Sequence, residues 1–239
     1  MPAGIHVVLP TYMERANIEP MARGIIAQLP EARILVVDDD SPDGTAEEVL
    51  RLADDGLAAS VLLRKGVRGY GSAVREGLRS CLENGAESVI VMDADGSHDP
   101  RYLPALVEGL DRHDMMIGSR YVPGGGVAAW TGWRRWLSRT ANRLTRRLTG
   151  IPVADCTGGY RAYRRDVLEK VPWGEIRSEG YAFLEEILVW VVQAGYAVGE
   201  TPITFEDRRA GRSKLSRWEI VKAAVTLIRL SRWRSPPVS

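Results

Sequence analysis

Cysteine is scarce in this chain of 239 residues, limited to Cys81 and Cys156 at no metal-type spacing. That excludes a disulfide scaffold or a zinc knuckle and fits a reducing compartment. Long apolar runs are also missing: no stretch of about 18 apolar residues occurs, so no transmembrane segment is expected. The run from Ile5 to Leu9 is too short for the core of a secretory leader. Histidine is limited to His6, His98 and His113, and no Ser-His-Asp arrangement presents itself. His6 within a strand and His113 at a polar helix end read as structural. His98 borders a carboxylate pair and is the one histidine with a chance of a direct chemical role. Net charge is nearly absent as well, at +1.

That balance hides an asymmetry. Between Trp130 and Gly150 stand six arginines and no acid, and from Phe205 onward nine Lys or Arg face three acids. The remainder therefore carries about −11. An acidic half with two basic segments calls for an anionic partner. Nucleic acid is not expected, because no recognition motif accompanies the basic stretches.

The acidic half alternates apolar strands with helices. Residues 5–9, 34–37, 59–63, 89–92 and 115–119 read as buried strands, with helices expected at about 17–29, capped by Asn17, at 45–53 and at 72–84. Such alternation predicts an α/β fold, a mostly parallel sheet with helices on both faces and all strand-end loops on one edge. The run 89–92 is the pivot, because it leads straight into Asp93-Ala94-Asp95. Carboxylates two residues apart on extended backbone point the same way and can meet one divalent cation, which takes its other ligands from water and phosphate. Aspartates recur after residues 34–37, at Asp38, Asp39, Asp40 and Asp43. Crowded on one edge, they repel unless a cation or a hydrogen-bonding base fills the gap.

These residues carry a resemblance. Pro10-Thr-Tyr12 with Glu14, Val36-Val-Asp38-Asp39-Asp40-Ser41, Asp93-Ala94-Asp95 with His98, and Gly118-Ser-Arg120 occur in that order. Asp155-Cys-Thr-Gly-Gly-Tyr160 and Arg208 with Gly211, Ser213 and Lys214 follow. The set, over about residues 5–230, resembles the family 2 glycosyltransferases, and within them the dolichol- or polyprenol-phosphate mannose synthases. The resemblance implies a glycosyltransferase A type nucleotide-binding, Rossmann-like fold and Mg²⁺ or Mn²⁺ as cofactor. It also implies inverting transfer of mannose from GDP-mannose to a polyprenyl (dolichyl-type) monophosphate. Pro10, Tyr12, Glu14, Val36 and Asp38 would then hold the guanine nucleotide. Asp93, Ala94 and Asp95 would bracket sugar and metal, with Asp93 and Asp95 as ligands. Ser97 stands where the family often has Gln and would ligate through water. Arg208 and Lys214 would contact the diphosphate or the acceptor, and Arg134 and Ser138 the acceptor phosphate.

Arg120 ends the strand 115–119 on the same edge as Asp95, suited to a phosphate by its planar fork and equally to an ion pair balancing the aspartates. The stretch 130–149 gathers Trp133, Trp136, Leu137, Leu144 and Leu148 at helical spacing beside arginines, a pattern suited to an anionic membrane surface. Glu185 and Glu186, in an apolar helix over 181–191, read as structural, with one acid packed against the active-site loops. The loop 206–214 carries many charges and a hinge glycine, so it can close over a phosphate-bearing ligand. Residues 1–215 are expected as the catalytic domain and 216–239 as a second amphipathic helix with a frayed tail. The expected setting is peripheral, at the cytoplasmic face of a membrane, with room for a separate membrane-spanning partner chain. Two rival functions remain open: the same chemistry with another donor such as UDP-glucose, and a non-catalytic nucleotide-binding subunit.

Overall fold

The computed structural model describes residues 4–128, 130–180 and 182–206, together with Thr226 and Arg229. Its first half repeats one unit: an apolar strand, an edge loop and a helix that packs back. Strand β1 (Ile5–Thr11) leads to helix α1 (Arg15–Gln28), β2 (Arg33–Asp38) to α2 (Thr45–Asp54), and β3 (Ala59–Leu63) to α3 (Tyr70–Glu83). Strand β4 (Ser88–Val91) follows, then α4 (Leu103–Gly109) and β5 (Met115–Ser119). Asn17 does not cap α1. The helix starts two residues earlier, where Thr45 Oγ1 accepts the Glu14 N–H at 3.1 Å and Asn17 Nδ2 donates to Glu14 Oε2 at 2.7 Å.

The second half adds β6 (Gly126–Val127), α5 (Gly132–Thr149), β7 (Arg161–Arg164), α6 (Arg165–Lys170), α7 (Ala182–Gln193), β8 (Val198–Pro202) and β9 (Thr204–Phe205). The main sheet runs β3-β2-β1-β4-β7-β5-β8, and β6 pairs with β9 outside it. All main-sheet pairs are parallel except those of β7, which slots antiparallel between β4 and β5. The strand β7 has no counterpart among the expected elements. It is only four residues long, buried at Arg161, Ala162 and Tyr163 without alternation and bounded by arginines, so neither period nor apolar run marks it in the sequence.

Alternation along the strands divides the core in two. Val8, Val37, Val89 and Val91 face α3, α6 and α7, while Val7, Leu9, Val36 and Ile90 face α1, α2 and α4. Helix α3 approaches the sheet through Gly77, where a Cβ would come within 2.5 Å of Val8 Cγ1. The chain builds outward from β1 through β2 to β3, then returns to β1's other side as β4. Strand order therefore reverses between β1 and β4, and open α/β sheets bind ligands in the crevice at the carboxyl ends of such strands. Among the described residues, no helix is long and apolar enough to cross a membrane. Apart from Thr226 and Arg229, the expected C-terminal helix lies outside the described residues.

Candidate active site

Two loops knit together at the ends of β1 and β2. Met13 N donates to Ser41 Oγ at 2.8 Å, Arg15 N to Asp43 Oδ2 at 3.1 Å and Asp39 N to Thr11 O at 3.1 Å. Met13 and Asp40 both take left-handed φ, 61° and 55°. A non-glycine residue holds that conformation only when its surroundings enforce it. Asp38 is fully buried: Oδ1 accepts from Thr11 Oγ1 at 2.9 Å and Ser41 Oγ at 2.6 Å, and Oδ2 from Ser41 N at 2.9 Å. Its carboxylate orders the loop. Val36 is also turned inward. It lies two positions inside β2 with its side chain in the core, so only its backbone is available to a ligand. Tyr12 and Glu14 are half-buried at the rim, as is Pro10 on β1.

On the other side of the reversal point, β4 ends in the carboxylate pair. Asp93 is half-buried, Asp95 is buried, and Ala94 is packed in the core so that only its backbone is available. Asp95 Oδ1 accepts the Ser97 N–H at 3.0 Å, which folds the loop back on itself. His98, itself buried, takes the Asp93 N–H on Nδ1 at 2.9 Å. That bond fixes the imidazole as an Nε2–H tautomer. Burial pushes its pKa below the ordinary value, against the opposing pull of Asp93 and Asp95. His98 thus serves as a neutral brace for the carboxylate loop.

Among the described residues, no group of three or more His, Cys, Asp or Glu side chains is placed to hold a metal. Two carboxylates nonetheless suffice for a hard cation that completes its shell with water and phosphate. Ser97 Oγ is buried with no hydrogen-bond partner among the described residues, so a third oxygen donor lies in the same loop. The donor set fits Mg²⁺ or Mn²⁺.

Aromatic contacts join this loop to the basic residues. His98 stacks on Tyr160 with ring centroids 4.9 Å apart and meets the edge of Phe205 at 5.5 Å. Phe205 meets Trp130 at 5.5 Å, and the Arg120 guanidinium carbon lies 5.6 Å from the Phe205 ring centre and 5.5 Å from that of Trp130. Arg134 sits 4.2 Å over Trp130. Arg120 itself is committed elsewhere. Its Nε and Nη2 grip both oxygens of Asp155 at 2.7 Å, and Nη2 also reaches Thr157 Oγ1 at 2.8 Å. Of the two roles expected for it, the ion pair is the one the geometry displays, although the partner is Asp155 and not the Asp93-Asp95 pair. Burial would raise the Asp155 pKa, but the Arg120 charge and hydrogen bonds outweigh it and hold the carboxyl below its usual range.

Helix α5 carries Arg134 and Ser138 one turn apart. Thr131 caps its start and Gly150, at φ 74°, ends it. Ser138 Oγ accepts from Tyr121 OH at 2.6 Å, so it touches the residue next to Arg120. The helix docks by polar residues. Asn142 Oδ1 accepts the Cys156 N–H at 2.7 Å, and Nδ2 reaches Thr157 Oγ1 at 3.2 Å. Its large apolar residues face outward: Trp133 is 68% exposed and Trp136 55%, and the two rings stack at 4.8 Å. Leu137, Leu144 and Leu148 are exposed with them.

Sequence patterns alone did not single out Asn142, the Asp155 and Thr157 pairing with Arg120, or Glu200, which accepts the Ala154 and Asp155 N–H groups at 2.7 and 3.0 Å. Only the Asp155 segment stood out as a motif, without a role. Glu186 receives the Arg177 and Ser178 N–H groups and Arg229, a structural task of the expected kind. Arg208 and Lys214 lie outside the described residues.

Comparison with known proteins adds to this geometry. Residues 6–172 match the family described as glycosyl transferase family 2. The chain is 42% identical over 231 residues to polyprenol monophosphomannose synthase of Mycolicibacterium smegmatis, covering 95% of this chain and 85% of that protein. It is 38% identical over 230 residues to undecaprenyl-phosphate mannosyltransferase of Micrococcus luteus, covering 95% and 94%. Among solved structures, glucosyl-3-phosphoglycerate synthase of Mycobacterium tuberculosis, with Mn²⁺, UDP and phosphoglyceric acid, aligns with a TM-score of 0.71 at 19% identity, over 98% of this chain and 80% of that one. A mannosyltransferase of Pyrobaculum calidifontis in complex with GDP-Man and Mn²⁺ aligns at 0.60 and 22% identity, over 97% and 65%. At such identities the structural likeness establishes the fold.

Proposed function

The chain belongs to glycosyl transferase family 2, and on that premise we propose that it transfers mannose from GDP-mannose to the phosphate of a polyprenyl lipid. One observation carries the reading: a single aromatic cluster joins the Asp93-Asp95 loop to Arg120 and to Arg134 on α5. A carboxylate pair for the donor's end and arginines for an anionic acceptor thereby flank one crevice. The polyprenyl-phosphate names of the two relatives support the choice of acceptor.

The acceptor phosphate arrives largely ionised near neutral pH, so no side chain need remove its proton. Its oxygen attacks the anomeric carbon of mannose, the bond from that carbon to the diphosphate breaks, and GDP departs with inversion. A divalent cation at Asp93 and Asp95 would supply charge neutralisation for the leaving diphosphate. Arg134 and Ser138 orient the acceptor, Arg120 and Asp155 fix the floor between them, and His98 holds the Asp93 backbone still. Arg208 and Lys214 are assigned to the diphosphate or acceptor, with residues 1–215 as the catalytic domain and 216–239 as an appended helix. The exposed Trp133, Trp136 and leucines of α5 rest on an anionic bilayer, placing the enzyme peripherally at the cytoplasmic face, where the lipid phosphate emerges.

Two variants test the division of labour. Arg134→Ala removes a charge-assisted contact and should raise KM for the lipid phosphate roughly ten- to a hundredfold. Donor binding by calorimetry should stay the same. Asp95→Ala should lose donor binding and turnover while still associating with the acceptor. Equal loss of donor affinity in both variants would refute the assignment of α5 to the acceptor.

A further inference from the structure

The arginines around the cleft divide by what they already hold. Arg64 is buried, with Asp39 at 2.8 Å and Ser72 Oγ at 2.6 Å, and Arg120 is gripped by Asp155. Arg68 differs. It is exposed, its guanidinium carbon sits 4.4 Å above the Tyr12 ring, and among the described residues its N–H groups meet no acceptor. Its loop is nonetheless fixed: Gly69 N donates to Asp39 Oδ2 at 2.8 Å, and Arg64 ties the same aspartate to Gly69 O. A donor fork is thus held over the aromatic rim residue at the end of β1, by a loop rising from β3.

Position decides what that fork meets. In the order β3-β2-β1-β4, β3 is three strand spacings from β4, roughly 14 Å. With the diphosphate beside Asp95 after β4, the cleft toward β3 receives the other end of the nucleotide, its base. We infer that Arg68 reads the base, donating two hydrogen bonds to O6 and N7 of guanine while Tyr12 supports its guanidinium, and so makes the site select guanine over uracil. Guanine presents two adjacent acceptors on that edge, a geometry that the planar fork matches, whereas uracil presents O4 beside a carbon. The inference rests on the GDP-mannose reading and adds the residue that enforces it.

Calorimetry on the full chain with GDP, 7-deaza-GDP and UDP tests it, using wild type, Arg68→Met and Arg68→Lys. Wild type should bind GDP roughly ten- to a hundredfold tighter than UDP, the discrimination expected of a bidentate pair. Arg68→Met should lose that margin with UDP affinity unchanged. Replacing N7 by carbon in 7-deaza-GDP should weaken binding to wild type and make no difference to Arg68→Met. Arg68→Lys should not restore the preference, because a point charge lacks the fork. Equal losses for GDP and UDP in Arg68→Met, or full rescue by lysine, would overturn the base-reading role. Wild type preferring UDP would instead overturn the donor reading itself.

Discussion

Arg64, Arg120 and Arg161 are the buried arginines among the described residues, and they are held in two ways. Arg64 faces Asp39 and Arg120 faces Asp155, whereas Arg161 gives its guanidinium to the carbonyls of Gly158, Leu184 and Cys156. Carbonyls leave the charge of Arg161 unneutralised, and Glu185 lies close enough to feel it. Burial nevertheless dominates, pushing the Glu185 carboxyl up to about 7, against the partial relief that Arg161 gives. Its Oε2 has no hydrogen-bond partner among the described residues. The folded state therefore holds a proton that the unfolded chain has released between about pH 4.5 and 7. Stability should fall as pH rises through that window, by an amount on the order of 3 kcal/mol, and then level off. Glu185→Gln should flatten the decline and melt higher than wild type at pH 8. Parallel curves for the two proteins across pH 5–8 would show that Glu185 is not buried neutral. Asp155 has the opposite sign. Its depressed pKa contributes stability above the unfolded value, lost only as pH falls below about 4. At this scale residue types were legible and their partners were not. Arg120 admitted a phosphate or an ion pair, and nothing near it in the chain pointed to Asp155, which lies 35 positions away.

Elements were more legible where their signals are local. The capping threonine and terminal glycine of α5 stand in the sequence, and its observed span, 132–149, agrees closely with 130–149. Strand β7 escaped notice because antiparallel insertion is a tertiary event: its four residues are placed by pairing with β4 and β5, not by their own period. Which face of α5 turns inward was equally a tertiary matter. Asn142 and Thr145 are buried while the tryptophans are not, an inversion of the usual pattern that leaves apolar surface to be covered from outside. Replacing Trp133 and Trp136 together with serine should abolish binding to anionic vesicles. The same change should leave the melting temperature nearly unaltered, since exposed substitutions shift stability by only about 0.5 kcal/mol. Undiminished vesicle binding by the double variant would remove α5 from the membrane. A contrasting change tests the core: Gly77→Ala sets a Cβ against Val8 and Val37 and should cost about 1–3 kcal/mol in denaturant unfolding. No loss would mean that α3 stands farther from the sheet.

At the scale of the molecule, the chain places opposite charges on one edge for a purpose. The acidic strand ends gather at the reversal point between β1 and β4, and the basic helix α5 borders them through Trp130 and Phe205. On the proposed reading, that separation resolves the near-zero net charge into a donor side suited to a cation and an acceptor side suited to an anion. Alternating strands and helices made the sheet and its loop edge readable in advance, as were Asp93 and Asp95 at the end of β4. The depth of each residue at that edge was not: Val36 and Asp38 are buried while Tyr12 and Glu14 are half-buried, which no local pattern encodes. The central claim is that the two sides act on one carbon. Its direct test is transfer by the purified full chain from GDP-[¹⁴C]mannose to polyprenyl phosphate in anionic vesicles, with Mg²⁺ or Mn²⁺. The account predicts label moving into an organic-soluble β-linked mannosyl phosphate lipid, with no label moved after chelation or in Asp95→Ala. Label transferred undiminished in excess EDTA, or lipid labelled from UDP-glucose and not from GDP-mannose, would contradict it.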